Sequence, residues 1–168
     1  LGGISVDNST RTSLNKFTLT VSDTAATAAE LNSAQSKTSV AVDASNVATI
    51  EASPASALTT LYTGTTPSGI ADADITVNDT TITAANYNAI DGYTTGTATF
   101  SATTITGAAA DIVTALSGAD ANVVHEASIA VTATDTTIAA SDINTLETLT
   151  TGVVTVSSAT RMTGSFAA

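Results

Sequence analysis

Residues Asp79 to Gly96 read DTTITAANYNAIDGYTTG, and residues Asp135 to Gly152 read DTTIAASDINTLETLTTG. The offset is 135 − 79 = 56, and the Asp-Thr pair occurs a third time at Asp23-Thr24, with the same offset (79 − 23 = 56). Asn32, Asn88 and Asn144 keep that spacing. Each follows an apolar residue (Leu31, Tyr87, Ile143), and Ala34, Ile90 or Leu146 stands two places after it. Thr-Thr-Gly closes the stretch at Thr94-Thr95-Gly96 and at Thr150-Thr151-Gly152, where the first copy has a degenerate Thr38-Ser39-Val40. Self-similarity at a fixed period constrains the fold more than any local propensity does. Each unit is too small to bury its own apolar face and needs an equivalent neighbour to complete it.

The repeat divides again. Thr97 to Gly118 parallels Ile75 to Gly92: alternating β-formers, then Thr-Thr-Ile-Thr, then an Ala-rich run with spaced large apolar residues. Val40 to Gly64 is a looser version. The unit is therefore a strand plus a short helix, used about twice per period. Period-2 alternation predicts strands over Phe17–Ser22, Val40–Asp43 continuing to Ile50, Ile75–Ile82, Thr97–Ile105, Ile129–Ile138 and Val153–Met162. Apolar pairs three or four apart predict helices over Ala28–Ala34, Ala55–Tyr62, Ala84–Asp91, Ala108–Ser117 and Ala140–Glu147. Thr83, Ser141 and Thr106-Gly107 are N-cap candidates, and Pro54 stands where a helix starts. Gly92, Gly96, Gly118 and Gly152 suit helix ends and turns, and Pro67 lies in a loop. Strand followed by helix, repeated, implies parallel strands. Helices this short do not make a doubly wound sheet. The expected fold class is a repeat solenoid: a parallel β-strand ladder with short helices, a leucine-rich-repeat-like β/α solenoid or a β-helix. Its expected divisions are a partial N-terminal coil over 1–16 and repeats over 17–72, 73–128 and 129–168. The start at Leu1 and the stop at Met162 to Ala168, where a further helix is due, suggest a fragment or a processed chain.

Composition narrows the roles. Fifteen acids face four bases (Arg11, Lys16, Lys37, Arg161), for a net charge of −11. That leaves no basic track for nucleic acid. Cysteine is absent, so disulfides and thiolate zinc sites are excluded. No apolar run approaches the ~20 residues of a membrane span, and no signal peptide is visible. Much of the 43% apolar content is Ala. A core of Ala, Val and Ile buries little area per residue at ~25 cal/mol per Å², so a shared core between neighbours must compensate.

The candidate sites are few. Asp23, Asp79 and Asp135 form a recurring carboxylate row, and Ca²⁺ is the ion such a row would take. One carboxylate per repeat falls short of the six to eight oxygens calcium prefers, and an Asp that caps a turn explains the pattern as well. Asn32, Asn88 and Asn144 read as an internal ladder that satisfies backbone groups. Val6 to Thr12 (VDNSTRT) and Val42 to Asn46 (VDASN) cluster oxygens as polar turns do. His125 is the only histidine, has only Glu126 and Asp120 as acidic sequence neighbours, and reads as a loop residue. Asp72 and Asp74 are paired carboxylates of the kind glycoside hydrolysis uses, but they lie in a linker-like stretch of low charge density, which argues against an active cleft. Thr rows such as Thr97 to Thr104 suggest an ice-binding face, but their spacing is irregular. No nucleophile–base pair is present, so no enzyme is expected.

The motif Ile-x-Ala-x-x-x-Asn-x-[Ile/Leu] followed by Thr-Thr-Gly stands at Ile82 to Gly96 and Ile138 to Gly152, and in degenerate form at Ala26 to Val40. Over residues 17–168 the chain resembles the Ala/Thr-rich repeat arrays of very large bacterial surface or secreted proteins, of the marine cyanobacterial type. The resemblance implies an extracellular structural or adhesive role and no catalytic residues. The expectation is thus a surface filament, surface layer or adhesin stalk. Its partners would be copies of itself or further repeats of the same chain, with no nucleic acid and no membrane insertion. The alternatives are a phage tail-fibre segment and a polysaccharide-acting β-helix.

Overall fold

The structure, a computed structural model, describes residues 16–118 and 122–164. Short strands alternate with short helices. β1 (Ala25–Thr27) runs into α1 (Ala28–Gln35), and β2 (Thr49–Ser53) precedes α2 (Ala55–Thr63). β3 (Asp74–Val77) and β4 (Thr81–Thr83) precede α3 (Ala84–Asp91), and β5 (Ala98–Phe100) and β6 (Thr104–Gly107) precede α4 (Ala109–Ser117). β7 (Val123–His125), β8 (Ala130–Ala133) and β9 (Thr137–Ala139) lead to α5 (Ala140–Leu149), and β10 (Val154–Thr155) and β11 (Arg161–Thr163) follow.

The strands form three open sheets, ordered β1-β2-β3-β5-β7, β10-β8-β6-β4 and β11-β9. All named pairs are parallel. Partners lie one strand–helix unit apart in the chain: Ile75 faces Ala98, and Thr104 faces Ala130. Parallel neighbours cannot be joined by a tight hairpin, so the chain returns through a helix each time. The helices touch one another in chain order, α1 to α5.

Apolar rows cross the sheets into one core. Ile50, Ile75 and Ala98 stand in register in the first sheet, and Ile82, Ile105 and Val131 in the second. Leu31, Leu58, Tyr87 and Ile112 fill the helix side and are at most 1% exposed. Every helix begins with a buried Ala: Ala28, Ala55, Ala84, Ala109 and Ala140. A Cβ placed on Gly107 would lie only 3.1 Å from the Ala84 Cβ. The backbone of the next unit passes that close to Ala84, which favours a small residue at this helix start.

All five helices form where expected, to within two positions at either end. The long strands do not. Ile75–Ile82, Thr97–Ile105, Ile129–Ile138 and Val153–Met162 are each broken in two by a corner. There the Thr24, Thr80 and Thr136 carbonyls each accept two N–H groups from the next unit: Ala48 and Thr49, Thr103 and Thr104, Thr160 and Arg161. Alternation continues through the bend, so periodicity alone shows one strand. Phe17–Ser22 is not a strand; Thr20 forms a single parallel bridge to Asp43, which bridges Ser68 in turn. Val40–Ile50 likewise contributes that bridge and a turn before β2 starts. Among the described residues, no helix is long and apolar enough to cross a membrane.

Candidate functional site

The recurring residues have identifiable tasks. The Ala55 N–H donates to Oδ2 of Asp79 at 2.6 Å, and the Ala109 N–H donates to Oδ2 of Asp135 at 2.7 Å. Each carboxylate therefore caps the helix of the preceding unit. Those two helices need it: α2 and α4 have Pro54 and Ala108 at the N-cap, with no side-chain cap of their own. An orphan N–H at a helix start is a strong donor, and the helix dipole favours a negative acceptor there. Asp23 is exposed and has no described helix before it. Among the described residues no three His, Cys, Asp or Glu side chains gather as a metal ion would require.

α1 and α3 are capped differently. Thr27 accepts from Glu30 N–H while its own N–H donates to Glu30 Oε2 at 2.9 Å, a capping box. These bonds hold the Glu30 carboxyl below its usual range. Thr83 accepts from Asn86 N–H at 3.2 Å, as expected. Ser141 and Thr106-Gly107 are not caps: Ser141 lies inside α5, whose N-cap is Ala139, and α4 is capped by Asp135. Ser53, with no role assigned from sequence, accepts from Ala28 N–H at 2.9 Å and so adds a bond from the next unit to α1. Its separation from Ala28 (53 − 28 = 25) is close to that of Asp79 from Ala55 (79 − 55 = 24), a signal at the single-unit period rather than at 56.

The Asn row forms the expected ladder in two of its three places. Asn32 donates to the Ala57 carbonyl (2.9 Å) and Asn88 to the Asp111 carbonyl (3.3 Å), each in the first turn of the following helix. The equivalent partner of Asn144 falls outside the described residues. Thr-Thr-Gly is a second inter-unit clamp. The Thr94 hydroxyl donates to the Ala73 carbonyl at 2.6 Å and accepts from Gly96 N–H at 2.9 Å. Thr150 repeats this with Ile129 (2.6 Å) and Gly152 (2.8 Å), and Thr38 with Phe17 (2.7 Å) and Val40 (3.1 Å). Gly96 and Gly152 do not end helices. A Cβ on Gly96 would lie 2.6 Å from the Asp72 carbonyl oxygen, so glycine is needed for close approach.

The other candidates separate. Asp43 Oδ1 accepts from Ser45 N–H at 3.1 Å, and its carboxyl is lowered by the Ser45 side chain and then the Ser45 backbone, which makes Val42 to Asn46 a polar turn. Val6 to Thr12 lies outside the described residues, as does Asp120. Asp74 opens β3 and accepts from Thr97 N–H at 2.7 Å, while Asp72 sits exposed in the turn before it. The Asp74 carboxylate is thus engaged by the backbone of the next unit. His125 is a strand residue, not a loop residue. It ends β7 beside Phe100, packs edge-on to Tyr87 at 6.2 Å, and its Nδ1 lies 3.1 Å from the Glu126 carbonyl.

A cleft of about 390 Å³ opens at the corner beside β5 and β7. One wall carries Thr99, Ser101 and Thr103, and the other His125, Glu126 and Ser128. No family model, curated protein or solved structure matches the chain.

Proposed function

We propose that this chain is a solenoid segment of an extracellular bacterial surface protein, acting by head-to-tail association or as a spacer. The observation that carries the reading is that side chains of one unit repeatedly satisfy the backbone of its neighbour. The Thr38, Thr94, Thr103, Thr150 and Thr160 hydroxyls all donate to carbonyls of the preceding unit. The Asn46 and Asn122 amides do the same, and Ser53, Asp79 and Asp135 accept from its helix starts. A unit in this arrangement is incomplete until another follows it, which suits an array with polarity. The recurring parts of the repeat are occupied by this structural work. The likeness to Ala/Thr-rich surface arrays points the same way. In this reading the recurring Asp residues are helix caps rather than calcium ligands. Sedimentation velocity with calcium and with EDTA tests it. The expected result is an elongated particle, either growing with concentration or a rod-like monomer, with no difference between the two conditions. A compact, near-spherical particle would overturn the reading, and growth that requires calcium would return the Asp row to ion binding.

A further inference from the structure

Beyond a structural role, we propose that the cleft between β5 and β7 recognises a neutral saccharide. The cleft sits where the ladder takes its longest step. Paired positions differ by 23 at Ile75/Ala98 (98 − 75) and at Thr81/Thr104 (104 − 81), and by 25 at Ala98/Val123 (123 − 98). At Thr104/Ala130 the difference is 26 (130 − 104), more than at any other named pair. That longer step spans the wall formed by His125, Glu126 and Ser128. The 56-residue offset runs unbroken through it, so the longer step is a shift of pairing register at this corner. His125 and Glu126 have no counterpart in the other copy, where the equivalent positions (125 − 56 = 69 and 126 − 56 = 70) hold Gly69 and Ile70. The inter-unit clamps do not use either side chain.

The lining chemistry selects the ligand. Thr99 stands beside Val124 and Phe100 beside His125. Strand alternation turns Thr99 and Val124 outward, and Val124 is 50% exposed. The Thr99, Ser101 and Ser128 hydroxyls offer donors and acceptors, Thr103, whose proton goes to the Thr80 carbonyl, offers an acceptor, and Glu126 offers a charged acceptor. Among the described residues, no Lys or Arg lines the cleft. With a net charge of −11, the chain disfavours phosphate, sulfate or carboxylate ligands. Phe100 is 2% exposed and stacked on Tyr87 at 3.8 Å, so it is a floor and not an open platform for a flat aromatic ring. Among the described residues, His125 and Glu126 lack the third ligand a metal ion would take. A sugar ring fits what remains: its hydroxyls donate to Glu126 and exchange bonds with the Ser and Thr hydroxyls, and its C–H face rests on Val124. The volume lies within the ~300–1,000 Å³ of small-ligand sites.

The test is a titration of the full chain with glucose, galactose, mannose and N-acetylglucosamine, followed by amide proton–nitrogen correlation spectra, with glucuronic acid as the anionic contrast. Saturable shifts confined to residues 99–103 and 123–128 are expected with at least one neutral sugar. Glu126→Ala combined with Ser101→Ala, both exposed positions, should weaken that binding by about tenfold or more and leave the rest of the spectrum in place. Absence of saturable shifts with every neutral sugar overturns the proposal. So do shifts centred elsewhere, or binding that the paired variant leaves intact. The sedimentation experiment reads a different property, so either proposal can fail alone.

Discussion

Tyr87 stands where the other copies have Leu31 and Ile143. It is 1% exposed, and its ring stacks on Phe100 with centroids 3.8 Å apart and planes within 13°. Its hydroxyl is buried with no hydrogen-bond partner among the described residues. A buried hydroxyl left unpaired costs ~1–3 kcal/mol. Tyr87→Phe keeps the ring and removes only the oxygen. The void left, roughly 15–20 Å³, costs ~0.4–0.5 kcal/mol at ~24 cal/mol per Å³. The net expectation is a gain of ~0.5–2.5 kcal/mol, at ~2–4 °C in Tm per kcal/mol for a chain of this size. Tyr62→Phe is the matched control. Its hydroxyl donates to the Ile70 carbonyl at 3.1 Å, and its ring stacks on Tyr93 at 4.8 Å. Removing that oxygen deletes a made bond and should lose ~0.5–1.5 kcal/mol. The same chemical change thus carries opposite signs at two sites. Urea unfolding followed by far-ultraviolet circular dichroism reads both, since the chain has no tryptophan. With m unchanged, the midpoint should rise for Tyr87→Phe and fall for Tyr62→Phe. A midpoint for Tyr87→Phe at or below that of the parent would refute the reasoning and show that a trapped water or a rearranged neighbour satisfies the hydroxyl.

Four further predictions rest on other parts of the structure. Ala139 is the N-cap of α5 with φ −82° and ψ 137°, close to Thr83 at φ −82° and ψ 147°, so Ala139→Thr should add the missing cap and raise stability by ~1 kcal/mol. An unchanged urea midpoint would count against that geometry. Asp135→Ala should cost ~0.5–2 kcal/mol, whereas Asp135→Asn, which keeps an acceptor, should cost far less; equal losses would mean that charge and not the cap matters. Gly96→Ala forces a Cβ to within 2.9 Å of three backbone atoms of Asp72 and Ala73, and overpacking of this kind costs ~1–3 kcal/mol, read as a lowered thermal midpoint. Burial pushes the Tyr62 phenol up to about 12 from 10.0, and Tyr87 is raised by burial first and then by Asp91. The unfolded chain therefore loses these protons first, so the stability they contribute is intact below pH 10 and is lost as pH rises towards 12. Thermal midpoints measured across that window should fall more steeply for the parent than for the Tyr62→Phe, Tyr87→Phe double variant.

The helices were legible because Tyr87 with Ile90, or Ile143 with Leu146, carries the period of a helix in few residues. The corners were not, because Thr80 and Thr136 bend the chain through their carbonyls, and a carbonyl leaves no mark on side-chain alternation. The role of Asp79 and Asp135 was half legible. Their recurrence was visible, but their partners, Ala55 and Ala109, are backbone donors in a different unit, 24 and 26 positions earlier. For the cleft, the lone His125 could be seen, but its alignment with Phe100 is set by a register that only the folded ladder fixes.

The backward caps at Asp79 and Asp135 follow the 56-residue period of the sequence, while the strands pair at separations of 23 to 26. Two kinds of helix start alternate from α1 to α4, while α5, which holds the place of α1 and α3 in the repeat, has Ala139 at its N-cap and lacks the hydroxyl. α1 and α3 carry their own hydroxyl at the N-cap, Thr27 and Thr83, and the strand before each runs straight into it. α2 and α4 carry none and take a carboxylate from the unit that follows. An Asp that caps backwards and a Thr that caps forwards sit in the same unit at Asp79 with Thr83, and in the next copy Asp135 keeps the backward cap while Ala139 replaces the Thr.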